Sequence, residues 1–210
     1  MKKTKRLILL MIIVALIIAA TIFLILFNKN TSKVSKNGNN MSSQEIVNYI
    51  LNISSYKANV TAEINSNKNS NKYVLNQEYI SPNINTQEVI EPSNISGIKI
   101  IRDERGLTLE NTKLDLSSVF ENYSYIGDNC LDLSTFIKDY KESDTSKCEE
   151  IDNKVIMKTE SSNDNKYTKH KTLYIDKQTC NPIKLEIKDD NQNNTVNILY
   201  NEVEINNSSN

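Results

Sequence analysis

The chain has 210 residues, with 25 Lys/Arg, 26 Asp/Glu, a single His, three Cys, four Gly and no Trp. So few glycines and imidazoles speak against a glycine-rich phosphate cradle or a histidine metal cluster, and three cysteines without CxxC spacing signal neither a disulfide framework nor a zinc site. The formal charge of -1 hides an asymmetry: residues 1–40 hold seven Lys/Arg and no acid, which leaves -8 on the remainder, an acidic domain that phosphates repel and a poor nucleic-acid binder.

Lys2, Lys3, Lys5 and Arg6 precede an apolar run from Leu7 to Phe27 that only Thr21 interrupts. As a helix, 21 residues at about 1.5 Å each span roughly 30 Å, the thickness of a bilayer core. A cleaved signal peptide is the competing reading, but its core is shorter and ends at a small-x-small site. Here TIFLILF runs on past Ala19 and Ala20, which favours a retained signal anchor over 1–27. The basic start favours a cytoplasmic N-terminus, hence a single-pass protein with an extracytoplasmic ectodomain. Residues 28–43 read as a flexible tether, 44–206 as one folded domain and 207–210 as a disordered tail.

The folded part opens with a capping box, Ser42 and Glu45, before Ile46, Val47, Ile50, Leu51 and Ile53 at helical spacing. The period then becomes two. Tyr56, Ala58, Val60, Ala62 and Ile64 share one face, and Tyr73, Leu75 and Tyr79 another, which predicts a hairpin. A strand with Ile84 and Val89 follows between Pro82 and Pro92, then a hairpin turning at Asp103 to Gly106. Residues 112–128 give no clear pattern. Leu133, Phe136, Ile137 and Tyr140 predict a second short helix, and the remainder returns to strands with turns at Asp152-Asn153 and Asp176 to Pro182. Short loops in sequential order predict an α+β fold: an antiparallel meander of nine to eleven strands in one curved sheet, with helices on one face.

The SYKANV first strand, YVLNQEYISP, a strand ending in EP before SGIKIIRDERGLTL, and LYIDKQTCNPIKLEI with its L-x-I-D-x-x-T-x-x-P pattern together resemble the LolA-type lipoprotein-carrier superfamily. Within it the chain is most similar to clostridial germination lipoproteins, GerS and GerS-related. The resemblance covers about residues 44–206. It implies an open half-barrel with covering helices, no catalytic residues and no cofactor. It also implies a cell-wall amidase as partner, in conversion of spore-cortex peptidoglycan during germination. One departure concerns the N-terminus, where no lipidation cysteine follows the apolar run.

Candidate chemistry is sparse. His170 alternates with Thr168, Thr172 and Tyr174 as a strand residue, and Cys180 lies beyond a turn, expected at its tip, so no Cys/His catalyst is assembled. Acidic residues look dispersed, as on a solvated face. A Cys130–Cys148 disulfide and three thiols remain alternative states. The sequence therefore reads as a membrane-tethered, non-enzymatic binding module, attached through Leu7 to Phe27. An open sheet edge is available for a partner or a second copy. A lipid or lipoprotein carrier or sensor is the alternative, and a carboxylate-based wall hydrolase a third reading.

Overall fold

The first helix, α1 (Ser43–Leu51), starts where its capping box sits: Ser42 N donates to Glu45 Oε2 at 2.8 Å and Glu45 N to Ser42 Oγ at 3.3 Å. Its apolar stripe buries Ile46, Val47 and Ile50, each contributing roughly 1.5–3 kcal/mol. This computed structural model describes residues 41–66, 68–104, 106–121, 130–163 and 165–207. The expected anchor, the tether up to residue 40 and residues 208–210 lie outside them. Among the described residues no helix is long and apolar enough to cross a membrane.

Eleven antiparallel strands follow. The first half comprises β1 (Ile53–Asn65), β2 (Ser70–Ile80), β3 (Ile84–Glu91), β4 (Ile98–Asp103), β5 (Gly106–Asn111) and β6 (Leu116–Glu121). After α2 (Leu133–Glu142) come β7 (Lys147–Ile151), β8 (Lys154–Glu160), β9 (His170–Asp176), β10 (Pro182–Lys188) and β11 (Asn194–Asn207). They form a single sheet in the order β6-β5-β4-β3-β2-β1-β11-β10-β9-β8-β7. The expected uninterrupted meander is thus two meanders, joined where the first strand pairs with the last. β6 and β7, consecutive in the chain apart from α2, stand at opposite ends of the strand order. Burial explains the arrangement: α1 packs on β7 and β8, α2 on β8, and their stripes share a core with Tyr56, Val60, Leu173, Leu185 and Ile198.

With so few glycines, the sheet bends mainly through bulges. Register slips leave Ser54, Ile90, Ile183, Thr195 and Asn201 as extra residues on their strands, and each slip adds local twist. Asn201 caps its own bulge by donating to Asn59 Oδ1 at 3.0 Å and Thr61 Oγ1 at 3.1 Å on the outer face. The turn at Asp152-Asn153 has both residues at positive φ (47° and 61°), as a two-residue hairpin requires.

Candidate functional site

Cross-strand pairing lays out the inner, helix-covered face in rows. One row runs Tyr56, Tyr79, Asn85, Arg102, Leu107, Phe120 from β1 to β6, and its neighbour runs Ala58, Gln77, Gln87, Ile100, Leu109, Ser118. Each carries two adjacent polar residues in its middle, Asn85 and Arg102 on β3 and β4 in the first and Gln77 and Gln87 on β2 and β3 in the second, with apolar or aromatic neighbours on either side. The polar middle meets the N-terminus of α2.

Asp132, only 2% exposed, is the residue that precedes α2. Its Oδ1 accepts from Gln87 Nε2 at 2.5 Å and its Oδ2 from Arg102 Nη2 at 2.9 Å. Burial raises the carboxyl from 3.8 to about 6, against the opposing pull of Arg102 and Gln87. Beside it, Tyr56 Oη accepts from Leu133 N at 3.3 Å. Burial first, and the Asp132 charge second, push the Tyr56 and Tyr200 phenols far above their usual range. Gln77 Nε2 reaches the Leu131 carbonyl at 2.9 Å. The α2 start is therefore held to four strands by polar groups, β1 through Tyr56, β2 through Gln77, β3 through Gln87 and β4 through Arg102.

Alongside this cluster an open cleft of about 520 Å³ lies between the ends of β2 to β4 and the flank of α2. Asn85 and Arg102 line it from the sheet, and Ser134, Lys138 and Lys141 from the helix. Asp103, Glu104 and Glu142 add negative charge. Ser134 Oγ donates to Asn85 Oδ1 at 2.8 Å.

Further along α2, Asp139 is buried against Lys171 of β9 and the two pair directly. Asp139 Oδ1 also accepts from Ser162 N at 3.1 Å and Ser162 Oγ at 2.8 Å. The expectation that acids lie dispersed on a solvated face therefore fails at Asp132 and Asp139. Their positions carried the signal: Asp139 stands on the apolar stripe of α2 with Phe136 and Tyr140, and Lys171 alternates with Leu173 and Ile175.

Among the described residues β6 is the last strand at one side of the sheet, and every one of its residues is exposed. Leu116 is 62% exposed and Val119 60%, with Phe120 and Leu109 also partly open to solvent. The opposite edge, β7, is short and charged, with Lys158 of β8 paired to its Glu149 and Lys177 bonding its Glu150.

His170 begins β9 and faces Glu160 Oε1 at 3.6 Å, while Cys180 lies past the other end of the strand. Seven strand residues at about 3.3 Å each put them roughly 20 Å apart. Cys180 corrects one expectation, for it is wholly buried instead of standing at the turn tip. Its backbone φ of 58° turns the side chain inward, and Sγ meets Met41 Sδ at 3.9 Å. Cys130, Cys148 and Cys180 are placed as thiols in this structure. Among the described residues no group of three or more His, Cys, Asp or Glu is placed to hold a metal ion.

These features define a class of protein: an open antiparallel sheet with two helices on one face, whose deepest acids serve its own packing and whose accessible surfaces are a mixed-charge cleft and an apolar strand edge. A family model described as "Sporulation protein YdcC-like" matches residues 4–210, and the chain belongs to that family. No match is found among curated proteins. Similar solved structures include one chain of the complex between the CwlD amidase from Clostridioides difficile and the GerS lipoprotein, at 25% identity and TM-score 0.48 over 76% of this chain and 91% of that one. A conserved protein from Thermus thermophilus aligns at 12% identity and TM-score 0.49, covering 80% and 90% of the two chains. The LolA superfamily protein NE2245 from Nitrosomonas europaea aligns at 10% and 0.41, covering 80% and 96%.

Proposed function

We propose that this protein is a membrane-tethered, non-enzymatic partner of a spore-cortex peptidoglycan amidase, acting at the cell envelope in cortex modification. Membership of a sporulation family supports the setting, and the sequence resemblance to GerS-related germination lipoproteins supports the class of partner. The observation that carries the docking surface is β6, the last strand of the sheet among the described residues, with Leu116 and Val119 in the open. A terminal strand with exposed apolar side chains is the kind of surface that accepts a strand from another chain, and either an amidase or a second copy fits there.

The test is co-purification of the full chain in detergent with a purified spore-cortex amidase. Association that disappears in Leu116→Lys/Val119→Lys, while the thermal unfolding midpoint holds, is the expected result. Failure of the unmodified chain to associate with the amidase overturns the reading. The exposed row Leu109, Leu116 and Phe120 on the inner face favours a second reading, a carrier or sensor of acyl chains. Native mass spectra of the full chain showing bound lipid, together with no amidase association, would select it.

A further inference from the structure

The cleft beside α2 holds hydrogen-bonding capacity that the fold leaves unused. Asn85 is only 9% exposed, and its one side-chain bond is the one its Oδ1 accepts from Ser134. Its amide nitrogen has no protein partner among the described residues, although Asn85 lines the cleft. That nitrogen is open to the cleft and placed to donate to an acceptor bound there. Ser134, Lys138 and Lys141 fall at i, i+4 and i+7, one face of α2, and that face lines the same cleft. Neither lysine has an ion pair or hydrogen bond among the described residues, as is also true of other surface lysines such as Lys147 and Lys154, but these two share one face of α2 on the cleft. Glu104 and Glu142, across and beside them, are likewise outside any ion pair among the described residues.

We propose that this cleft binds a short zwitterionic peptide. An acyl chain would leave these charges unpaired, and a purely anionic ligand would meet Glu104 and Glu142. A peptide offers a carboxylate for Lys138 and Lys141, an amine for the glutamates, and a backbone carbonyl for the Asn85 amide. A volume of about 520 Å³ lies within the roughly 300–1,000 Å³ usual for ligand sites. Two sources share the chemistry: a peptidoglycan stem peptide, with D-residues and a side-chain amine, and an ordinary all-L peptide. The first source rests on the cell-envelope reading. The site itself does not, since it shares no residue with the β6 edge.

The experiment is calorimetric titration of the full chain in detergent with two synthetic probes: the stem tetrapeptide Ala-γ-D-Glu-diaminopimelate-D-Ala, and an all-L peptide of equal length and charge. The expected result is saturable binding of at least one probe, with the stem peptide the tighter if the wall is the source. Affinity should fall severalfold in Asn85→Ala, as expected for loss of one hydrogen bond to the ligand, and about tenfold in Lys138→Glu/Lys141→Glu. The lysines are exposed, so the second variant reads the site even if the first disturbs folding. Absence of binding by both probes, or binding unchanged in the folded lysine variant, overturns the proposal. Amidase association measured on the same variants separates the two ideas, because it should be untouched by changes in the cleft.

Discussion

Asp132 is the buried acid whose protonation the fold shifts into the range near neutral pH. Its folded value of about 6 lies above the ordinary 3.8, so between those pH values the folded state holds more proton than the unfolded one. Stability from this group is present below about pH 4, falls as pH rises to about 6, and is then level. The gap corresponds to roughly 3 kcal/mol. Asp132→Asn also turns one acceptor into a donor facing Gln87 or Arg102, so the absolute stability of the variant drops; the informative quantity is the slope. Urea unfolding at pH 4, 5, 6 and 7 should show the Asn variant losing the decline that the parent shows between pH 4 and 6. Identical slopes in the two proteins would refute the assignment. The Asp139–Lys171 pair behaves differently because both charges are buried and mutually satisfied. Lys171→Met should cost about 3–5 kcal/mol by stranding a buried carboxylate, and Lys171→Met/Asp139→Asn should recover part of it. A double variant no more stable than the single, in the same denaturant assay, would mean the lysine matters through packing alone.

At the scale of elements, α1 is the clearest case of sequence dictating structure. Ser42 and Glu45 bond each other's backbone, and the three residues that α1 buries are among the five read at helical spacing, whereas Leu51 is half-buried and Ile53 opens β1 instead of extending the helix. Ser42→Ala removes one side of the box and should cost about 1 kcal/mol. A thermal unfolding midpoint lowered by a few degrees checks it, and no change would mean that packing on β7 and β8 holds the helix start without its cap. The hairpins were similarly legible, because period-two burial and turn residues are local signals: β1 and β2, β4 and β5, and β9 and β10 stand where the pattern put them. Two things were not. β6 has no alternation to detect, since an edge strand with both faces exposed obeys no burial rule. The polar site was missed because Gln77, Gln87 and Asp132 are individually unremarkable, and only the docking of the distant α2 start on the β2–β3 hairpin brings them together. Their signal was a polar residue in an apolar register, as Gln77 stands between Leu75 and Tyr79.

At the scale of the molecule, the pairing of β1 with β11 decides how the domain holds together. These are the longest strands, 13 and 14 residues, and their ladder joins Ile53 to Asn207 and Ile64 to Val196. Each half is a meander of short-range contacts, yet neither is closed by itself. Without β11, the buried Ala58, Val60 and Ala62 of β1 and Leu185 and Ile187 of β10 face no strand beyond them. The inner-face core also crosses this seam, for α1 and α2 pack on the β7–β8 side while Tyr56 and Leu75 belong to the other half. A contact between the first strand and the last is entropically slow to form. Deleting residues 194–210 from the full chain should therefore abolish cooperative unfolding of both halves together. Amide hydrogen exchange is the measurement, and protection should vanish in β2 to β4 as completely as in β8 to β10. If β2 to β4 kept parental protection in the truncated chain, the first meander would be an independent folding unit. The central seam would then be a docking contact between two stable halves, whereas its burial and length point to a single cooperative core.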